Sequence, residues 1–391
     1  MKHMQLGAAG RVMAAFALHS MTVGTLFARL PEVQRELALS EATFGLVLLG
    51  MPVGVLLGSI LIGPLVEKWG PKRLMLYGMP LIASLVILVG ISTSAAMLTA
   101  AMFIFGFAFA TSNVAINVEA DRVEASEGRR IMSRCHGWWA LGFLATTLVS
   151  AGLIRVGVTP LGQFIGLTVL MALLISAFLI PLPVSKARAT EGASRRFALP
   201  GMNTLLIGAF ALGAILLEGT TRSWAVIYVR DVFGAADWLA AYALPAIVVT
   251  QTAGRFAGDT LVERWGDVAV ARVLMLVLLV GTAVVVFAPW ISVVMLGFAL
   301  VGLGVSIALP QSFSAAARLG DRPAAENMAA FSTISVLIGF VGPPLFGFAA
   351  EWFGLRAAFA LFIPLPLISL AFARYLVAGN AVISAESGAK P

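Results

Sequence analysis

His19, Asn113, Asn117, His136, Trp139, Glu218, Arg222, Gln251 and Gln311 stand inside runs of residues that are otherwise apolar. Each carries a group that can hold a proton, a hydroxyl or an aromatic ring. Histidine is the side chain whose unperturbed pKa lies near neutrality, so His19 is a candidate carrier of a coupling proton. A neutral ring hydrogen-bonded within a helix bundle would use it equally well. Glu218 and Arg222 are four residues apart and share one face of a helix. They read either as a compensated ion pair or as a site where Glu218 takes a solute hydroxyl or a proton while Arg222 balances it. Asn113 and Asn117 also share a face, and His136 and Trp139 fall at similar depth on the next segment. Amide and imidazole groups beside an aromatic plate suit a hydroxylated or heterocyclic solute, although polar contacts between helices would employ the same residues. Gln251 and Gln311 are further candidates. No phosphate-cradling glycine motif, nucleophile elbow or metal-ligand spacing occurs. Neither catalysis nor a metal or organic cofactor is therefore expected.

The elements that must position these residues follow from composition. Hydrophobic residues make up 60% of the chain and charged residues 12%, against about a quarter charged in a soluble domain. Lipid must therefore be the solvent for most of the surface. Long charge-poor runs such as 74–92 and 291–309 approach the ~20 residues that a helix needs to cross hydrocarbon. They lack the alternation of a membrane strand. Twelve transmembrane helices are predicted, centred near residues 18, 52, 83, 106, 143, 172, 214, 248, 279, 301, 339 and 365. The first is interrupted by Arg11 and His19 and runs into Arg29, which reads as a retained span rather than a cleaved signal. With a start near Ala8, His19 lies about 16 Å along it, close to the midplane. The single cysteine, Cys135, excludes an intramolecular disulfide.

Between the sixth and seventh predicted helices lies a polar segment with Lys186, Arg188, Arg195 and Arg196. It divides the chain into residues 1–184, a linker at 185–201, and residues 202–391. If the N-terminus is cytoplasmic, twenty of the 26 Lys and Arg residues fall on the inner side. The positive-inside rule then places both termini in the cytoplasm. Anionic headgroups account for the net charge of +7 without any nucleic-acid partner.

The phrase LVEKWG at 65–70 returns as LVERWG at 261–266, and Gly58, Gly106 and Met132 recur at the same offset as Gly254, Gly302 and Met328. Two parallel six-helix repeats related by an axis along the membrane normal are a transporter design. The stretch Gly63-Pro-Leu-Val-Glu67-Lys68-Trp-Gly70-Pro-Lys72-Arg73 resembles the loop signature between helices 2 and 3 of the major facilitator superfamily. The second copy keeps Glu263, Arg264 and Gly266 but moves the leading glycine to Gly258, beside Asp259. Asn113-Val-Ala-Ile-Asn117, the stretch from Met132 to Gly142, Glu218-Gly219 with Trp224, and Gly342-Pro343-Pro344 resemble the bacterial YbjJ-type branch. This sequence has Asn113 and Ser223 where that branch carries an acid.

The resemblance implies an all-α, multi-pass protein of the bacterial inner membrane, monomeric among lipids, that moves a small-molecule substrate by alternating access. The leading expectation is proton-coupled transport of a small polar organic solute such as a sugar, with His19 or Glu218 as the protonation point and the proton gradient as energy source. The alternative is efflux of drugs or toxic metabolites by proton antiport, and a remote one is a non-transporting receptor. Gly63, Glu67, Lys68, Gly70, Arg73, Arg255, Asp259, Glu263 and Arg264 are expected to form a cytoplasmic latch, with Arg255 and Asp259 as a pair. A carboxylate near a helix N-terminus gains roughly 0.3–1 kcal/mol. Anchoring of these charges to headgroups is the competing account. Gly342-Pro343-Pro344 is expected to bend its helix.

Overall fold

The computed structural model describes residues 6–185 and 199–377. All its elements are helical, without a strand among the described residues, and each of the twelve expected centres falls inside a helix. The chain divides into two compact units. The first is Met1–Glu191 with Ala236–Pro245, and the second is Gly192–Ala235 with Ala246–Pro391. The linker charges Lys186, Arg188, Arg195 and Arg196 lie outside the described residues.

The first unit contains α1 (Ala8–Glu36), α2 (Glu41–Val47), α3 (Gly50–Trp69), α4 (Pro71–Gly90), α5 (Ala95–Glu127), α6 (Met132–Arg155) and α7 (Pro160–Phe178). Local chemistry sets several of these boundaries. Ser40, Ser94 and Thr159 cap α2, α5 and α7 by accepting a backbone N–H with the side-chain oxygen. Glu124 Oε2 accepts the amides of Ile131 and Met132 at 2.7 and 3.0 Å, so a carboxylate closes the start of α6. α1 packs on α6, and α3 on α5.

The second unit begins with α8 (Met202–Phe233). After α9 (Asp237–Ala240) come α10 (Ala243–Trp265), α11 (Asp267–Phe287), α12 (Ile291–Val305), α13 (Ala308–Ala317), α14 (Ala324–Phe353), α15 (Leu355–Ala360) and α16 (Pro364–Phe372), closed by a 3-10 turn over Ala373–Val377. α9 groups with the first unit. Asp237 there accepts both terminal nitrogens of Arg35 at 2.7 and 2.8 Å, and Arg155 lies over the Trp238 ring at 4.9 Å. Among the described residues, eleven spans are long and apolar enough to cross a membrane. α10 has the length, at 23 residues, but carries Arg255, Asp259, Glu263 and Arg264. Its polarity keeps it out of that set, although the sequence predicts a span centred near residue 248.

Large apolar side chains face outward along whole helices: Leu57, Ile60 and Leu61 on α3, and Val273, Leu276 and Val280 on α11. Exposed apolar stripes of this length mark a lipid-facing surface. Inside the second unit, Tyr228 packs edge-on against Phe298 and Phe359 at 6.0 and 4.9 Å between ring centroids, and its hydroxyl donates to the Val285 carbonyl at 2.8 Å. That bond satisfies a hydroxyl which would be costly unpaired in a core.

The internal repeat reappears in packing. A Cβ added at Gly106 would collide with the Met51 carbonyl oxygen, and one at Gly302 with the Ile247 carbonyl oxygen. Met51 and Ile247 are themselves 196 residues apart, so each unit uses the same backbone-to-backbone approach. α14 continues through Pro343 and Pro344 as one 30-residue helix. The span that corresponds to α5 in the repeat breaks after Val305 and resumes at Ala308.

Candidate functional site

Glu218 sits halfway along the 32-residue α8. Its Oε1 accepts Arg222 Nη2 at 2.7 Å from the same helix and Gln251 Nε2 at 2.8 Å from α10. Gln251 Oε1 in turn accepts Arg222 Nη2 at 3.4 Å. The structure thus brings together three of the sequence-predicted residues.

Arg255 joins them, which the sequence reading does not expect. It pairs with Glu218, with Nη2 at 3.5 Å, rather than with Asp259, which is exposed one turn on. The cause is local. Pro310 has no amide hydrogen to give to the carbonyl four residues back, and that carbonyl belongs to Ser306, in the break between α12 and α13. Arg255 Nε donates to it at 3.2 Å, which turns the guanidinium inward to Glu218. Gln311 belongs elsewhere: its Nε2 donates to the Asp267 carbonyl at 3.2 Å at the start of α11.

In the first unit, His19 is fully buried on α1, with Nε2 3.2 Å from Ser112 Oγ on α5. The Ser112 hydroxyl also lies 3.1 Å from the carbonyls of Ala108 and Phe109. It has one proton to give, so the hydroxyl is satisfied when Ser112 donates to the helix and His19 Nε2–H donates to Ser112, while His19 Nδ1 is buried without a hydrogen-bond partner. The His19 ring lies against Phe109 at 4.5 Å between centroids. Ser112 is a residue the sequence reading missed, because a lone serine bonded to its own helix carries no pattern.

Asn113 and Asn117 stand half-buried on α5, and Asn117 Nδ2 donates to the Asn113 carbonyl at 2.8 Å. His136 is exposed on α6 and meets Phe16 edge-on at 5.3 Å, while half-buried Trp139 stacks on Phe143 at 5.6 Å. Arg29 is fully buried. It donates to Gln163 Oε1 at 2.5 Å and to Glu32 at 2.7 Å, and Gln163 passes the chain on to Ser150 at 2.7 Å. Nη2 of the same guanidinium is buried without a hydrogen-bond partner, so the core holds this charge with its donors only partly matched.

In the repeated loop, Gly70 and Gly266 have φ of 75° and 82° with ψ near 155°, and no atom lies within 4 Å of a Cβ added at either. Conformation, not space, demands glycine at these turns. Lys68, Arg73, Glu263 and Arg264 are exposed, with Arg264 over the Trp265 ring at 5.7 Å. Gly63 and Glu67 lie on α3, and the surroundings of both fall outside what the structure describes. Beside the loop, Lys72 Nζ donates to the Ile180 carbonyl at 3.1 Å, and Ser185 Oγ to Glu119 Oε2 at 2.8 Å. Among the described residues, no group of three or more His, Cys, Asp and Glu could hold a metal ion.

A family model described as Major Facilitator Superfamily matches residues 12–343. An uncharacterized transporter, y4wD, of Sinorhizobium fredii is 30% identical over 89% of this chain and 92% of its own. An uncharacterized MFS-type transporter of Yersinia pestis is 28% identical over 92% of this chain and 93% of its own. Membrane protein MosC of Rhizobium meliloti is 25% identical, covering 90% and 86%. Among solved structures, the nucleoside transporter NupG superposes with a TM-score of 0.73 at 16% identity, covering 96% of this chain and 99% of that one. A bacterial homolog of the human lysosomal transporter Spinster gives 0.72 at 13% identity, covering 96% and 97%. At such identities the likeness is one of fold.

Proposed function

The chain belongs to the major facilitator superfamily, and from that membership we propose proton-coupled transport of a small polar, hydroxylated organic solute. Membership makes it a multi-pass membrane transporter with a small-molecule substrate, not an enzyme. The observation that carries the finer reading is the hydrogen-bonded set of Glu218, Arg222 and Gln251 at mid-helix, with Arg255 ion-paired to the same carboxylate oxygen. Ionisable side chains at that depth are costly in lipid and are kept for solute and proton pathways. Glu218 and His19 are the protonation points, and Asn113, Asn117, His136 and Trp139 supply further solute contacts. The proton gradient is the energy source. NupG, by its title a nucleoside transporter, supports including nucleosides among the test solutes.

In this reading two six-helix halves, residues 1–184 and 202–391, alternate access as a monomer in the bacterial inner membrane, with both termini and the 185–201 linker cytoplasmic. Gly63, Glu67, Lys68, Gly70, Arg73, Asp259, Glu263 and Arg264 form the cytoplasmic latch. Purified protein in proteoliposomes, offered sugars, nucleosides and organic acids, should move protons with its solute. Glu218→Gln or His19→Ala should uncouple the two. Normal proton-linked transport by both variants across a range of pH would remove the coupling assignment. Labelling of 68–73 and 264–272 from opposite faces of the bilayer would remove the topology.

A further inference from the structure

The first unit holds a cavity of about 390 Å³ where α3 turns into α4, and it shares no residue with the Glu218 cluster or the His19–Ser112 pair. The start of α4, from Gly70 to Arg73, lines it together with Glu119, Arg122 and Ser185. Because α4 begins at Pro71, the amides of Lys72 and Arg73 have no carbonyl of their own helix to bond. Two backbone donors and the positive end of a helix dipole thus meet at one wall, the arrangement that holds phosphate at helix N-termini. Lys72 Nζ gives one of its three protons to the Ile180 carbonyl at 3.1 Å and keeps two.

Glu119 adds a second requirement. It is wholly buried, Ser185 Oγ donates to its Oε2 at 2.8 Å, and its Oε1 has no hydrogen-bond partner. Leaving a buried carboxylate oxygen in that state is costly. What it lacks is a donor and not a counter-charge, since Lys72 and Arg122 already act on it electrostatically. A neutral hydroxyl therefore suits it better than a further cation.

The repeat shows what the same place accepts. Asp267 begins α11 as Pro71 begins α4, and Asp267 Oδ2 accepts Arg318 Nη2 at 3.0 Å. Pro71 and Arg122 are their counterparts at the 196-residue offset, and both line the cavity. The second unit carries its own carboxylate at this turn, whereas the first offers space for an anion from outside. The surroundings point to the source. α3 and α4 both contribute to membrane spans, so the turn between them lies at headgroup depth. Trp69 and Tyr77 line the cavity while 46% and 71% exposed, and such rings sit at the membrane–water interface.

We infer that this cavity binds an anionic phospholipid whose headgroup joins a phosphodiester to a hydroxyl, as in phosphatidylglycerol. The phosphate meets the Lys72 and Arg73 amides and Lys72 Nζ, and the hydroxyl donates to Glu119 Oε1. The site needs only the membrane location that family membership gives and is independent of the solute.

The test uses the full-length protein in detergent, titrated with short-chain phosphatidylglycerol, phosphatidylethanolamine or phosphatidylcholine. Native mass spectrometry counts bound lipid, and thermal stabilisation is followed in parallel. Phosphatidylglycerol should bind most tightly. Pro71→Asp, which installs the carboxylate that α11 carries, should weaken it by about ten-fold or more while the protein stays folded. Lys72→Gln should weaken all three lipids, and Glu119→Gln should narrow the preference for phosphatidylglycerol over phosphatidylcholine. Should either of these two variants not fold, Pro71→Asp and the ranking of lipids on the wild-type protein decide. Equal or tighter binding of the other two lipids would overturn the inference, as would phosphatidylglycerol binding unchanged in Pro71→Asp. Displacement of the lipid by equal concentrations of glycerol 1-phosphate or inorganic phosphate would give the site to a soluble phosphate and overturn the lipid assignment.

Discussion

Gln251 on α10 donates to Glu218 Oε1 on α8 at 2.8 Å, the same oxygen that receives Arg222 from one turn further along α8. A neutral amide therefore couples two helices through one carboxylate oxygen. Gln251→Leu removes a hydrogen bond to a charged acceptor, which contributes about 1.5–3 kcal/mol. Solute affinity should fall about ten-fold or more by titration, while the Arg222–Glu218 pair keeps the protein folded.

Glu218→Gln is a harsher change, because it leaves Arg222 and Arg255 without their shared carboxylate. Removing one partner of a buried pair costs about 3–5 kcal/mol. The cost here should be smaller, since the Glu218 and Arg222 side chains keep 17% and 23% exposure. The unfolding temperature should drop by a few degrees, and a neutralising second change, Arg255→Gln, should recover part of it. No recovery would show that the two side chains do not share this charge balance.

Pro310→Ala tests the link between the helix break and the cluster. The restored amide would compete with Arg255 Nε for the Ser306 carbonyl, so α12 and α13 should join and the guanidinium should lose its anchor. The expected readout is loss of solute affinity with unchanged or raised thermal stability, since a helix-breaking proline has been removed. Unchanged affinity would show that this carbonyl does not orient Arg255.

Gly106→Ala and Gly302→Ala should be destabilising to a similar degree, because each added methyl meets a backbone carbonyl that cannot rotate away. Overpacking of this kind costs about 1–3 kcal/mol. Gly152→Ala is the control: it lies within α6 with no atom within 4 Å of the added Cβ, and should stabilise by up to about 1 kcal/mol. Thermal unfolding in detergent separates the three.

Gly70→Ala and Gly266→Ala should each cost about 1–3 kcal/mol through backbone strain alone. Asparagine tolerates positive φ mainly where ψ is near +45°, so at ψ near 155° it should cost about as much as alanine at both. Alanine variants that unfold at the wild-type temperature would sink the conformational explanation.

Much of the fold was legible in the chain itself. The length of the charge-poor runs called for helices in lipid, and the 196-residue offset linked Gly106 to Gly302 before any packing was visible. The four-residue spacing of Glu218 and Arg222 likewise settles their common face, since neighbours on one helix are related by its period. Polar contacts between helices were less readable. Arg255 looked like the partner of Asp259 by the same four-residue logic, yet it pairs with Glu218 on another helix.

Local patterns thus determined which segments are helical, where the turns need glycine, and which halves of the chain repeat. Tertiary structure alone decided that Arg255 turns inward, that Ser112 meets His19, and that Gln311 stays with the start of α11. The reason is physical. A helix boundary depends on residues within a turn of it, whereas the partner of a buried polar group depends on which acceptor a neighbouring helix leaves open, as Pro310 leaves the Ser306 carbonyl.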